Sequence, residues 1–226
     1  MYSEKVKEAW RVLRIQSELV DGIEHLAKLG PAVSIYGSAR LSPDSPYYQA
    51  AQSLAFKLAD SGLHIITGGG PGIMEAANKG GYENPHAKSV GLNITLPMEQ
   101  RANPHQDISL DFRYFFVRKL MFVKHAVAFV IFPGGYGTLD ELFEALTLIQ
   151  TEKIQVFPVI LYGREYWQGL YDWLVETVVA EGCIDMSDLD IFHIVDTVEE
   201  AEAIVLHSAE DRVSKNKPSD NMPDNC

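Results

Sequence analysis

The chain has 226 residues, 46% of them hydrophobic, and a formal net charge of −12. That length and apolar content supply one well-buried domain with room for an appended helix, and no break in composition asks for a second. The acidic balance argues against a broad nucleic-acid footprint, because replacing the counterions of a phosphate backbone takes clustered Lys and Arg.

The first segment carries Val6, Trp10, Leu13, Val20, Ile23 and Leu26 at spacings of three, four or seven among charges, and it stops at Gly30-Pro31. This predicts an amphipathic helix over 1–30. Then Ala32 to Gly37 reads as a strand, Pro46 to Ala59 as a helix and Leu63 to Thr67 as a second strand. Pro71 to Gly80 reads as a helix, Ser89 to Ile94 as a strand, and Arg113 to His125 as a helix. Ala126 to Phe132 is an apolar run with strand character, and Leu139, Leu142, Phe143, Leu146 and Ile149 after it repeat at helical spacing. Phe157 to Tyr162, Glu165 to Glu181, Ile191 to Val195 and Val198 to His207 continue the alternation. Such alternation predicts an α/β fold, a doubly wound parallel sheet covered on both faces, over 31–208. From Ala209 to Cys226 the chain is polar and without apolar period, which predicts a disordered tail. Cys183 and Cys226 are the two cysteines, and they form no disulfide framework. The charged start lacks a signal-peptide core and no apolar run approaches spanning length, so a cytoplasmic protein without membrane partners is expected.

Two glycine-rich turns join a predicted strand to a predicted helix. Pro133-Gly-Gly-Tyr-Gly-Thr-Leu-Asp-Glu141 places three glycines, a threonine hydroxyl and two carboxylates at one such turn. A helix N-terminus presents unpaired N–H groups and a positive dipole end, and glycine lets a phosphate approach the backbone closely. Thr67-Gly-Gly-Gly-Pro-Gly-Ile-Met-Glu75 is the second turn, where Gly69 and Gly70 can face an anion or a sugar; taken alone it is equally a tight turn that needs glycine for packing. Neither turn has the spacing G-x-G-x-x-G or a Walker A lysine, which lowers classical NAD binding and P-loop chemistry in rank. Tyr36-Gly-Ser-Ala-Arg40 closes the first strand with a third small-residue turn, where Ser38 can donate to a ligand. Ligands of open α/β sheets sit outside the carboxyl ends of the strands, so all three turns can converge there.

Arg118 and Lys119 lie among Phe115, Phe116, Leu120, Met121 and Phe122. Arg118 shares a helix face with Met121 and Phe122, and a buried guanidinium wants a carboxylate or phosphate. Lys119 either drapes its stem over apolar surface with its head in water or contacts the substrate. Glu141 and Glu144 share a face of the following helix, with Asp140 turned away as a partner of the helix dipole. Beside a glycine cradle and Arg118, Glu141 reads as catalytic. The seven histidines make no pair at ligand spacing, so neither a metal nor a cofactor is expected, and His125 reads as a packed helix-end residue. Tyr36 and Tyr136 can stack on a base or simply pack.

The pattern P-G-G-x-G-T-x-x-E, preceded by Arg118-Lys119 and by Gly68-Gly-Gly-Pro-Gly72, resembles the Lonely Guy (LOG) family of cytokinin riboside 5'-monophosphate phosphoribohydrolases, over about Ala32 to Cys183. Its members were long labelled possible lysine decarboxylases, although nothing in the sequence suggests a pyridoxal phosphate site. The resemblance implies a Rossmann-like fold and cleavage of the N-glycosidic bond of a nucleoside 5'-monophosphate such as AMP. It implies a catalytic pair, Arg118 and Glu141, and a 5'-phosphate held by Gly134, Gly135, Tyr136, Gly137 and Thr138. Glu75, Asn93 and Glu99 are weaker candidates for ribose or base contacts. It also implies a homodimer or higher homo-oligomer, which the N-terminal helix either extends or leaves alone by covering its own subunit. Asp140, that helix and Leu96 to Gln100 depart from compact plant-like members and point to a longer bacterial subgroup. The competing reading is a nucleotide or molybdenum-cofactor carrier on the same fold, for which an Arg118–Glu141 pair has no stated use.

Overall fold

The structure, a computed structural model, describes residues 2–96 and 102–215. Among the described residues the strands are β1 (Ala32–Tyr36), β2 (His64–Thr67), β3 (Ser89–Ile94), β4 (Ile108–Phe112), β5 (Ala126–Ile131), β6 (Val159–Tyr162) and β7 (Phe192–Val195). The helices are α1 (Tyr2–Leu26), α2 (Pro46–Asp60), α3 (Ile73–Tyr82), α4 (Phe115–His125), α5 (Tyr136–Gln150), α6 (Arg164–Trp173) and α7 (Val198–Lys215). One seven-stranded sheet runs in the order β4-β3-β2-β1-β5-β6-β7, with every neighbouring pair parallel.

The central strands are apolar along their whole length because both faces are covered. In β1, Tyr36 packs with Phe129 and Ile131 toward α4, α5 and α6, while Val33 and Ile35 pack with Ala128 and Val130 toward α2, α3 and α7. This is the doubly wound, Rossmann-like sheet that the alternation predicts. Chain order reverses between β1 and β5, so the loops leaving those two strands part to opposite faces and open a crevice at their carboxyl ends. Helices α2 and α3 approach almost backbone to backbone: a Cβ at Gly80 would stand 2.1 Å from the Gln52 carbonyl oxygen.

Helix α1 lies on α4 and the sheet edge. Leu26 is fully buried, and Gly22 lets Met121 and Phe112 come close, at 3.0 and 3.3 Å from where its Cβ would be. Glu18 accepts hydrogen bonds from the N–H groups of Arg113 and Tyr114 at 3.1 and 3.4 Å, satisfying donors at the start of α4. The other side of α1 is bare, with Trp10 59% and Leu13 54% exposed.

Three segments differ from expectation. Strand β4 is absent from the expected elements, although Ile108, Leu110 and Phe112 alternate with Ser109 and Asp111 in the two-residue period of an edge strand that buries one face. The helix predicted over Glu165 to Glu181 starts at Arg164 and changes to a wider π-helical turn over Leu174–Val179. Helix α7 continues through Ala209, where a disordered tail is predicted, to Lys215, propagating from Ala201 and Val205 buried in the core. The remainder of that tail, 216–226, lies outside the described residues.

Candidate active site

The crevice at the β1–β5 switch point is a cavity of about 760 Å³. Its floor is the three turns that follow β1, β2 and β5, and they are tied together through the backbone of Ser38. The Ser38 N–H donates to the Pro133 carbonyl at 2.9 Å, and its carbonyl accepts from the Ile73 N–H at 3.0 Å. Its hydroxyl oxygen accepts from the Arg40 N–H at 3.1 Å and keeps its own hydrogen to donate.

The Pro133–Thr138 turn delivers the N-terminus of α5 to the cavity. Gly134 is folded against Thr138, whose hydroxyl oxygen would be 2.1 Å from a Cβ there, and its carbonyl accepts from the Tyr166 hydroxyl at 2.7 Å. Gly135 and Gly137 are different, since a Cβ on either would have no atom of the chain within 4 Å. Packing does not demand glycine at those two positions, whereas a phosphate seated on the first-turn N–H groups of α5 would.

The second glycine turn is held by a buried polar network. The Thr67 hydroxyl accepts from the Gly69 N–H at 2.9 Å and donates to Asn78 Oδ1 at 2.5 Å. Asn103 Nδ2 donates to the same oxygen and to the Gly70 carbonyl, at 2.9 and 3.0 Å. Gly69 has φ of +71°, the left-handed region that favours glycine, and a Cβ there would fall 2.0 Å from Asn93 Oδ1. Asn93 in turn donates to Ser109 Oγ at 2.9 Å, which fixes its amide at the cavity wall.

Arg118 enters from α4. Its Nε donates to the Leu92 carbonyl at 2.7 Å and an NH2 donor reaches the Gly68 carbonyl at 3.4 Å, with the guanidinium 5.2 Å from the centre of the Phe122 ring. Among the described residues it is bonded to backbone carbonyls and to no carboxylate, so it is positioned by β3 and the second glycine turn. Gly68 makes room for it, because a Cβ there would stand 2.4 Å from Arg118 NH2. Burial weakens its hold on its proton, and the Glu141 charge acts the other way.

Glu141 lies on the same wall with its side chain 12% exposed. Burial pushes its carboxyl up to about 7, against the opposing pull of Lys119 and then Arg118; Glu144 and Asp140 push it further up. Arg118 therefore favours the ionised form without securing it, because burial outweighs the cations. Lys119 is itself 15% exposed, with Nζ 2.9 Å from Asp140, 2.5 Å from Glu144 and 3.9 Å from Glu141. Asp140 is thus an ion-pair partner of Lys119 rather than a helix-dipole residue; it sits in the second turn of α5, beyond the reach of the terminal N–H groups.

Of the residues expected to bind substrate, the cavity brings together Ser38, Gly69, Gly70, Asn93, Gly134, Gly135, Tyr136, Gly137 and Thr138, beside Arg118 and Glu141. Lys119 is not on its wall but behind Glu141, drawn there by three carboxylates. Glu75 is also off the wall, near enough to Tyr48 of α2 that its charge, after burial, raises that phenol, while the preceding Met74 lines the cavity. Glu99 lies outside the described residues. Tyr36 lines the cavity but its ring is packed between Phe122 and Phe129, whereas Tyr136 is 93% exposed. His125 closes α4 with its Nε2 buried. Arg40, Phe115 and Tyr166 also line the cavity and were not singled out. Arg40 was legible as the cation ending the turn after β1; Phe115 and Tyr166 reach the site only through the packing of α4 and α6.

A parallel sheet with a glycine-rich helix terminus, an arginine and a buried carboxyl at its switch point defines a Rossmann-like α/β protein. The family described as possible lysine decarboxylase matches residues 74–205. The chain belongs to that family, the Lonely Guy (LOG) family. It is 29% identical over 174 residues to a probable cytokinin riboside 5'-monophosphate phosphoribohydrolase of Oryza sativa subsp. japonica, covering 74% of this chain and 73% of the relative. It is 30% identical over 167 residues to the pyrimidine/purine nucleotide 5'-monophosphate nucleosidase of Escherichia coli K12, covering 68% of this chain but only 36% of that longer protein. A molybdenum cofactor carrier protein from Chlamydomonas reinhardtii has the same fold, with a TM-score of 0.57 at 21% identity over 80% of this chain and 99% of the other.

Proposed function

We propose that this chain hydrolyses the N-glycosidic bond of a nucleoside 5'-monophosphate, AMP or an N6-modified AMP, to give free base and ribose 5-phosphate. The observation that carries this reading is the placement of Glu141 and Arg118 on one wall of a cavity whose floor is the open N-terminus of α5. The first-turn N–H groups, with Gly135 and Gly137 giving access, hold the 5'-phosphate. Breaking the bond between ribose and base builds positive charge at the anomeric carbon, which an ionised Glu141 stabilises while it aligns or deprotonates the attacking water. Arg118, fixed by the Leu92 and Gly68 carbonyls, directs its remaining donors at the substrate. The names of the rice and E. coli relatives support the same reaction class.

The reading includes a cytoplasmic protein that needs no metal or cofactor and acts as a homodimer or higher homo-oligomer. Phe115, Phe116 and Leu120 of α4 and Phe143 of α5, exposed beside the cavity, support self-association; light scattering at micromolar concentration would reveal a monomer if that part is wrong.

Incubation with AMP, N6-isopentenyl-AMP, GMP and CMP, followed by chromatography of the free base, tests the activity and ranks the bases. Release of no base from any of them overturns the hydrolase. Tight binding without release would instead support the carrier reading, which the shared fold with the molybdenum cofactor carrier brings forward.

A further inference from the structure

Tyr36 ends β1 at the switch point, and its ring is held between Phe122 and Phe129 at centroid distances of 5.0 and 5.1 Å. Phenylalanine would fill that space equally well. What tyrosine adds is a hydroxyl whose oxygen is buried without a hydrogen-bond partner, an arrangement that buried polar groups rarely adopt without a purpose. The Ser34 hydroxyl, on the same strand face, is near enough to ease the phenol's ionisation, but it gives its own hydrogen to the Phe122 carbonyl at 3.2 Å and leaves the Tyr36 oxygen without a geometrically sound bond.

The charges facing the phenol are Glu141, Arg118 and Glu144, in that order of influence. Glu141 has the complementary deficiency. Its nearest cation, Lys119 Nζ, is 3.9 Å away, beyond hydrogen-bond reach, and is occupied by Asp140 and Glu144. An unused donor and an under-used acceptor thus line the same cavity within electrostatic range of each other.

Resting on the proposal that Glu141 acts at the ribose, we infer that Tyr36 is a positioning residue, whose hydroxyl donates a hydrogen bond to the Glu141 carboxylate and fixes it toward the substrate. Burial, followed by the Glu141 charge, holds the phenol well above its ordinary ionisation range, so it stays a donor wherever Glu141 titrates. Around Glu141 itself the other charges are Lys119 and Arg118 from α4 and Asp140 and Glu144 from α5. None of them replaces the phenol, since the lysine is occupied by Asp140 and Glu144, and Arg118, anchored through two of its donors to the Leu92 and Gly68 carbonyls, makes no ion pair with Glu141.

The test is Tyr36→Phe, read in three ways. In the ligand-free protein, the carboxyl carbon of Glu141 is followed by NMR from pH 4 to 9, assigned by comparison with Glu141→Gln. The expected result is an upward move of its midpoint by ~0.5 unit or more, because a bond to the charged form favours that form. In turnover of AMP, kcat falls roughly tenfold with KM little changed, as for loss of a hydrogen bond to a charged group. The melting temperature changes little, because the phenylalanine ring keeps the packing against Phe122 and Phe129. An unmoved midpoint overturns the inference, whether or not the melting temperature changes. If the wild-type protein releases no base, the proposed hydrolase fails, while the ligand-free titration still decides the role of Tyr36.

Discussion

Lys119 Nζ stands 3.9 Å from Glu141 Oε2, too far for a hydrogen bond and near enough to weigh on the carboxyl's ionisation. Lys119→Met removes the largest of the influences that favour the charged form of Glu141. The carboxyl then loses its proton at higher pH, and kcat/KM for AMP at pH 7 falls roughly tenfold. Lys119→Arg keeps the charge and most of the activity. A pH–rate profile of the three proteins checks this: the acid limb moves upward for the methionine variant alone.

Glu141 also couples stability to pH. Its folded-state value, about 7, lies above the 4.5 of an unperturbed carboxyl. A group raised in this way favours the fold fully below its unfolded value, and that contribution is lost as pH rises through the folded value. The integrated loss between pH 4.5 and 7 is about 3 kcal/mol. Glu141→Gln therefore raises the melting temperature at pH 8, leaves it nearly unchanged at pH 4, and abolishes most turnover while AMP still binds. Calorimetry at the two pH values and isothermal titration with AMP check the pair of outcomes; equal shifts at both pH values would contradict the buried carboxyl.

Gly68→Ala tests how Arg118 is held. The added methyl meets Arg118 NH2 at 2.4 Å, so the guanidinium has to leave the Gly68 carbonyl. A displacement of that size at a reacting centre lowers kcat/KM roughly 100-fold. Arg118→Ala should match it, and the double variant should be no worse than either single one, which a double-mutant cycle reads directly.

Gly137→Ala separates binding from folding. The residue is in the first turn of α5, and a Cβ there meets nothing of the chain within 4 Å. Alanine in place of glycine in a helix stabilises it by about 0.5–1 kcal/mol. The same methyl stands where the proposed phosphate site meets the N–H groups, so KM for AMP rises while the melting temperature rises too. A melting curve and an initial-rate series decide it, and an unchanged KM would move the phosphate to another wall of the cavity.

The helix–strand alternation was legible because buried parallel strands are apolar throughout, whereas β4, half exposed at an edge, left no such trace. The glycine turns and Arg118 were legible for a local reason: small residues and a cation among aromatics are anomalies within a few positions of chain. The partners of those residues were not. The expected link from Arg118 to Glu141 became two backbone carbonyls from β3 and the second glycine turn, and Lys119 was captured by Asp140 and Glu144. Asn103, which braces Gly70 across 33 residues, has no local sign of its role.

The layered sheet, the turns that end its central strands and the residue types able to hold a phosphate and carry charge are thus written in the chain locally, since each follows from periodicity or backbone chemistry within a short window. Which charges meet, that Tyr36 and not Glu75 lines the cavity, and that burial pushes the Glu141 carboxyl up to about 7 follow from packing alone. Those outcomes depend on burial and on distances between groups well separated in the chain, and both are set when α4 and α5 close over the ends of β1 and β3.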